Sequence, residues 1–202
     1  MNPQSLPTWI AGLPNQLTVV RVLFVPFILL LYPWDFKYLT IICGLLYSLA
    51  ALTDVFDGML ARHYGLESRL GATLDPIADK ILSATGILLL CGMDRLPIFL
   101  GGLLLLRDIA INGIRLIAAK ENVDIEVSGF GKLKTIFQST ALSLLLIHYP
   151  LLGLPLQTIG MVLIWLSLLL SYYSGFLYVK EFWLHFHEKA PVPLAIKDNY
   201  YE

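Results

Sequence analysis

The stretch Asp54–Asp79, DVFDGMLARHYGLESRLGATLDPIAD, decides how the rest of the chain is read. Asp54 and Asp57 are three residues apart, and Asp75 and Asp79 are four apart. On a helix either spacing puts both side chains on one face. Apolar runs flank the stretch, Leu39 to Leu52 before it and Ile81 to Leu90 after it. Both pairs are therefore expected on membrane-spanning helices joined by the turn His63-Tyr64-Gly65-Leu66-Glu67. Folding that hairpin about Leu66 sets Asp57 opposite Asp75, and Asp54 opposite residue 78, next to Asp79. Ala61 then mirrors Gly71, so small residues meet where the helices approach or where something must fit between them. The acids come to one level, roughly 13–18 Å from the turn at about 1.5 Å per residue. Uncompensated carboxylates at that depth are very costly. Clustered hard oxygen ligands suit Mg²⁺, Mn²⁺ or Ca²⁺. The plainer alternative pairs the acids with basic side chains, but only Arg62, Arg69 and Lys80 lie close in sequence, too few to neutralise them.

Composition agrees with a membrane setting. The chain has 202 residues, 57% hydrophobic and only 14% charged, with a mean hydropathy of +0.72. Soluble domains carry about a quarter charged residues, so the expected class is an all-α integral membrane protein. A net charge of −1 gives no case for nucleic-acid binding. Cys43 and Cys91 stand alone in separate apolar runs and read as buried small residues, with neither disulfide nor metal spacing. No basic region precedes the first apolar run and no cleavage site follows it, so a signal peptide is not expected.

Outward from the acidic hairpin, residues 1–14 read as an interfacial segment carrying Trp9. The first span runs from near Asn15 to Tyr32, and Asn15, Thr18 and Arg21 recur every three residues on one face. That face is expected to point at the acids; alternatively Arg21 snorkels to headgroups. The hairpin spans are about Tyr38 to Arg62 and Leu70 to Met93, with Pro76 tolerated near a helix start and otherwise kinking the helix. In the fourth span, about Leu96 to Ala119, Arg107 and Arg115 are eight apart on one stripe. Such arginines need a cavity, an anion or an acid; Asp108 and Asn112 offer a structural pairing instead. After the polar linker Glu121–Gly129 comes Gly129-Phe-Gly-Lys132-Leu-Lys134 at the mouth of the fifth span. Backbone N–H groups, the helix dipole and the lysines together favour an anion there, although either lysine alone reads equally as a membrane anchor. The fifth span continues to about Tyr149, and the sixth runs from Leu154 to Val179. Residues 180–202 form a surface-associated tail, and neither His148 nor the pair His185 and His187 has ligand spacing. The organisation expected is thus 1–14 interfacial, 15–179 a domain of six transmembrane helices, and 180–202 a cytoplasmic tail. Only Lys37 and Arg95 of the fourteen Lys and Arg residues then face the far side, which puts both termini and the acids at the cytoplasmic face of a bacterial inner membrane.

Acids suited to metal, bases on two other helices and a polar first-span face, all at headgroup level, are the composition expected for phosphoryl chemistry on a lipid. The pattern Asp54-x2-Asp57-Gly58-x2-Ala61-Arg62-x8-Gly71-x3-Asp75-x3-Asp79 also matches at every position the signature of the CDP-alcohol phosphotransferases. The chain resembles that family well over about residues 13–138, in the last two spans only by hydrophobicity, and in the tail not at all. The resemblance implies a membrane enzyme that moves a phosphatidyl group from CDP-diacylglycerol to an alcohol and releases CMP. It implies two divalent ions, Mg²⁺ or Mn²⁺, with Asp54, Asp57 and Asp75 as ligands. Asp79 would also touch metal and take the proton from the attacking hydroxyl. Gly58, Ala61 and Gly71 would admit the nucleotide, and Arg62 and Ser68 would contact its phosphates. Leu13 to Arg21 resembles the donor-contacting start of the family's first span, so Asn15, Thr18 and Arg21 join the donor site.

A free polyalcohol has no use for Arg107, Arg115, Lys132 and Lys134, whereas an acceptor that already carries phosphate does. Arg107-Asp-Ile-Ala-Ile-Asn-Gly-Ile-Arg115 and Gly131-Lys-x-Lys-Thr-x-x-Gln138 are most like family members that use sn-glycerol 3-phosphate to give phosphatidylglycerophosphate. The same chemistry with phosphatidylglycerol or inositol phosphate as acceptor is the alternative. A different class, an ion carrier with a cation relay, would spread its acids along a path instead of packing them at one level. The family resemblance further implies a homodimer.

Overall fold

The computed structural model describes residues 21–64, 69–121, 129–151 and 153–188, with side chains described outside 54–76 and 186–188. Helical residues 21–31, called α1, run into a 3₁₀ turn at Tyr32–Trp34. Then follow α2 (Lys37–Tyr64), α3 (Arg69–Gly92), α4 (Ile98–Lys120), α5 (Gly129–Ile147) and α6 (Leu156–Glu188). The described residues form no strand, only an isolated bridge between Leu151 and Leu154. The all-helical expectation holds, and the acidic hairpin falls on helices α2 and α3 as anticipated. Pro76 lies inside α3, not near its start, so that turn lacks one backbone donor and leaves a carbonyl without its helical partner. α6 does not stop at Val179 but continues through Glu188. Its 33 residues span about 50 Å, against a hydrocarbon core of about 30 Å.

α5 is the central helix and packs against α2, α3 and α6, while α4 lies on α6. Two glycines let it sit close to its neighbours. A Cβ on Gly160 of α6 would meet Leu145 Cγ at 2.8 Å and the Ala141 carbonyl at 3.2 Å. A Cβ on Gly44 of α2 would collide with Ile147, whose backbone nitrogen would stand at 2.9 Å. Around these contacts Leu142, Leu145 and Leu146 of α5 join Cys43, Ile87, Leu100 and Ile164 in one core. Cys43 is buried and Cys91 half-buried, both as free thiols.

The outside of the bundle is apolar, and its largely apolar inside also holds charged side chains. Leu30, Tyr38, Ile98, Leu106, Ile109, Leu169 and Phe176 are among the large exposed hydrophobics, whereas Arg21, Arg95, Asp108, Lys134 and Gln138 are buried. Water as solvent favours the opposite arrangement. Among the described residues Leu156–His185 is the one helical stretch long and apolar enough to cross a membrane; Arg21–Trp34 and Lys37–Thr53 are apolar but shorter.

One end of the bundle is tied by a single buried guanidinium. Arg95, between α3 and α4, donates to Tyr32 Oη at 2.5 Å and to the Asp35 carboxylate, and its guanidinium also stacks over the Tyr32 ring. Gln157 Nε2 donates to the Arg95 carbonyl at 3.0 Å, and Gln157 Oε1 meets His148 Nδ1 at 3.1 Å. Three turns are thus fastened together. Each holds a non-glycine residue in the left-handed region, Asp35 at φ 49°, Asp94 at 55° and His148 at 59°. That is unusual backbone which surrounding contacts must sustain.

Candidate active site

At α3, Asp79 follows Ala78, which is buried, and precedes Lys80, whose Nζ lies 3.0 Å from the Asp79 carboxylate. Asp79 opens onto a cavity of about 400 Å³ walled by α1 to α5. Arg21 reaches it from α1, Tyr47 and Ser48 from α2, Asp108 from α4, and Lys134 and Gln138 from α5. The wall is otherwise largely aliphatic, with Leu52, Leu82, Leu142 and Ile147. Tyr47 is fully buried, with Asp79 near enough to act on its phenol electrostatically. Gly86 makes room for the ring, since a Cβ there would stand 2.9 Å from Tyr47 Cε2.

The basic residues expected to bind an anion divide into two groups. Lys134 Nζ donates to Asp108 Oδ1 at 2.6 Å, both side chains being buried. Arg107 approaches the same Asp108 oxygen at 3.3 Å, while its Nε donates to the Ser171 carbonyl at 2.8 Å and its Nη2 to Ser174 Oγ at 2.8 Å. Asp108 therefore joins two cations that look in different directions. Lys134 faces the cavity, and Arg107 lines a separate groove between α4 and α6 with Tyr172 and Gly175. A buried lysine and arginine with no acid between them would repel each other at high cost, which explains a carboxylate at this depth. Arg115 is exposed, with its guanidinium 5.4 Å from the Tyr178 ring centre, and Lys132 is also exposed. Of the four basic residues, only Lys134 lines the cavity.

Other expected site residues fall at the edge of what is described. The backbones of Asp54, Asp57, Gly58, Ala61 and Arg62 are in α2, and those of Gly71 and Asp75 in α3, but their side chains lie outside the described residues. Asn15, Thr18 and Ser68 lie outside them altogether. Helical register keeps 54 with 57, and 75 with 79, about one turn apart on their helices. For a divalent ion the donor chemistry fits: carboxylates in helical register along the chain, with Asp79 facing the cavity. Among the described residues no cluster of three metal-ligating side chains forms.

Tyr47, Lys80, Asp108 and Gln138 were not singled out for this site from sequence. Asp108 carried a usable signal, an acid in an apolar run beside an arginine. Gln138 carried one as the last residue of the run Gly131–Gln138, although no role was read for it there, and Tyr47 carried none beyond its helical phase.

The cavity unites an acid from the motif hairpin with bases from the first and fifth helices, and sequence comparison supplies the class. The family model described as CDP-alcohol phosphatidyltransferase matches residues 11–173, and the chain belongs to that family. A CDP-diacylglycerol–glycerol-3-phosphate 3-phosphatidyltransferase of Rickettsia typhi is 35% identical over 170 residues, covering 84% of this chain and 96% of that protein. The protein of the same description in Bacillus subtilis is 30% identical over 187 residues, covering 85% of this chain and 95% of the relative. A probable phosphatidylglycerophosphate synthase of Mycobacterium tuberculosis is 36% identical over 173 residues, covering 84% of this chain and 81% of the relative.

Proposed function

We propose that this chain is a phosphatidyltransferase that converts CDP-diacylglycerol and sn-glycerol 3-phosphate to phosphatidylglycerophosphate and CMP. The observation that carries the reading is the cavity itself. Asp79, Lys134 and Arg21, drawn from three helices far apart in sequence, line one space of about 400 Å³. The relatives of matching length bear the names of this reaction. Members of this family work with divalent metal. In this chain Asp54, Asp57, Asp75 and Asp79 are the residues that would hold it, as Mg²⁺ or Mn²⁺. Bound there, it would neutralise the diphosphate and stabilise the departing CMP phosphate.

The chain's own groups account for the rest. Lys134 attracts the acceptor's phosphate while Asp108 holds the ammonium in place. Asp79 accepts the proton of the acceptor's primary hydroxyl. The freed oxygen attacks the phosphorus that carries diacylglycerol, the bond from that phosphorus to CMP breaks, and CMP leaves with the bridging oxygen. Arg21 and the first helix serve the donor. The aliphatic wall of Leu52, Leu82, Leu142 and Ile147 suits the first carbons of a lipid. The apolar outer surface of the bundle supports embedding in a membrane, and six spans with the site toward the cytoplasm are part of the proposal. A homodimer is part of the proposal.

Purified protein given labelled CDP-diacylglycerol and a panel of sn-glycerol 3-phosphate, phosphatidylglycerol and inositol phosphate tests this. Metal-dependent CMP release with glycerol phosphate, at least about tenfold faster than with either alternative, is the expected result; preference for another acceptor would reassign the substrate.

A further inference from the structure

Gln138 lies one turn beyond Lys134 on α5 and lines the same cavity, with 3% of its surface exposed. Its amide oxygen is buried and has no hydrogen-bond partner among the described residues. Burying an unsatisfied amide costs free energy, and such groups are scarce in folded proteins. The neighbouring hydroxyls are differently placed. Thr135 donates to the Gly131 carbonyl at 3.2 Å, Ser139 to the Thr135 carbonyl at 2.8 Å, and Ser143 to the Ser139 carbonyl at 2.8 Å. They are absorbed by their own helix, and Gln138 is not. A neutral primary amide offers one acceptor and two donors, which matches a hydroxyl, able to donate and accept at once. It matches a phosphate less well, because the acceptor end of the amide would face negative charge.

We infer that Gln138 holds the secondary hydroxyl of sn-glycerol 3-phosphate and makes the cavity selective for a phosphate ester with a second hydroxyl; this rests on the function proposed above. Side chains four apart on a helix are about 5–6 Å apart at Cβ. With the phosphate at Lys134, the hydroxyl on the middle carbon falls opposite Gln138, and the remaining primary hydroxyl is left for Asp79. Gln138 thus fixes which hydroxyl reacts as well as which acceptor is taken.

The test compares two acceptors in one preparation: sn-glycerol 3-phosphate, and 3-hydroxypropyl phosphate, which has the same chain without the middle hydroxyl. A site built to hydrogen-bond a hydroxyl discriminates against its absence, because the buried partner is left unpaired. The wild type should favour glycerol phosphate in kcat/KM by roughly 10- to 100-fold on that basis. In Gln138→Leu and Gln138→Met the ratio should fall to within about threefold, with KM for CDP-diacylglycerol changed less than about twofold. A ratio of kcat/KM values does not depend on the fraction of protein folded, so a poorly folding variant still gives a reading. Thermal stability in detergent should not fall, since no described hydrogen bond is removed. A ratio unchanged by both variants, or a wild type that does not discriminate, overturns the inference while leaving the transferase reading intact. A wild type that releases no CMP with glycerol phosphate overturns both.

Discussion

The two ends of the helical bundle handle buried polarity in opposite ways. At one end Arg95 is held on several sides: Tyr32 and Asp35 accept from it, a ring lies beneath it, and Gln157 links its carbonyl to His148. At the other, the cavity is lined by Arg21, Lys80 and Lys134 together with Asp79 and Asp108, and Gln138 has an amide oxygen without a partner among the described residues. Gln157 and Gln138 are the clearest contrast. The Gln157 amide has a partner at each end, and the Gln138 amide oxygen has none among the described residues. Completed networks fasten turns together; incomplete ones are what a ligand can finish. A bundle with lipid on the outside gains little from apolar burial between its helices, so polar closure at one end helps hold the shape that keeps the other end open.

The comparison can be broken at several points. The largest effect is expected from Asp79→Asn, which keeps the shape of the side chain and removes the base. CMP release should fall by about 10²–10⁴, while binding of CDP-diacylglycerol, followed by equilibrium titration, is largely spared. Normal turnover would remove Asp79 from the proton-transfer role.

Next comes Lys134→Ala, which takes the ammonium from the cavity and leaves Asp108 with Arg107 alone. The apparent KM for glycerol phosphate should rise by roughly 10- to 100-fold, as for loss of a charged hydrogen-bond partner, and by much less for CDP-diacylglycerol. Equal shifts in both constants would argue against an acceptor pocket at this lysine. Arg115→Ala should leave the same constant within about twofold, because that guanidinium is exposed and does not line the cavity.

Arg95→Ala sharpens the contrast from the other end. Losing its bonds to Tyr32 and Asp35 should cost about 1.5–3 kcal/mol of stability, seen as an earlier thermal transition in detergent with both KM values unchanged. If stability held and KM moved, the closed end would not be merely structural. Smallest is Gly160→Ala, where the new methyl meets Leu145 and the Ala141 carbonyl. Overpacking of this kind costs about 1–3 kcal/mol, since Leu145 is fully buried and presents its branch carbon to the new methyl. The readout is again the melting transition, with kcat within about twofold of wild type.

Much of this was readable before any coordinates. The spacing of Asp54, Asp57, Asp75 and Asp79 placed them on two helices, and the helices α2 and α3 carry them. The sixth span was read to about Val179 because hydropathy falls there, whereas the helix itself runs on to Glu188 because helical propensity does not fall with it. Lys180, Glu181 and Phe182 are all compatible with a helix, and Phe182 packs beside Ile111 and Ala118 of α4. Arg107 and Lys134 stood out as charges in apolar runs, but their direction did not. Asp108 was weighed only as a partner for an arginine, and it also holds Lys134, twenty-six residues further on.

By itself, then, the sequence determined the periodic features: which segments are helical, which acids share a face, and that charged groups lie deep in an apolar chain. Periodicity is local, and a helix reports its own phase. Tertiary structure alone decided that Lys134 faces the cavity while Arg107 turns toward α6, that Arg95 closes one end, and that the Gln138 amide oxygen has no partner among the described residues at the other. Those outcomes depend on where neighbouring helices fall around α5, and whether a polar group is satisfied is a property of its neighbours, not of its own position in the chain.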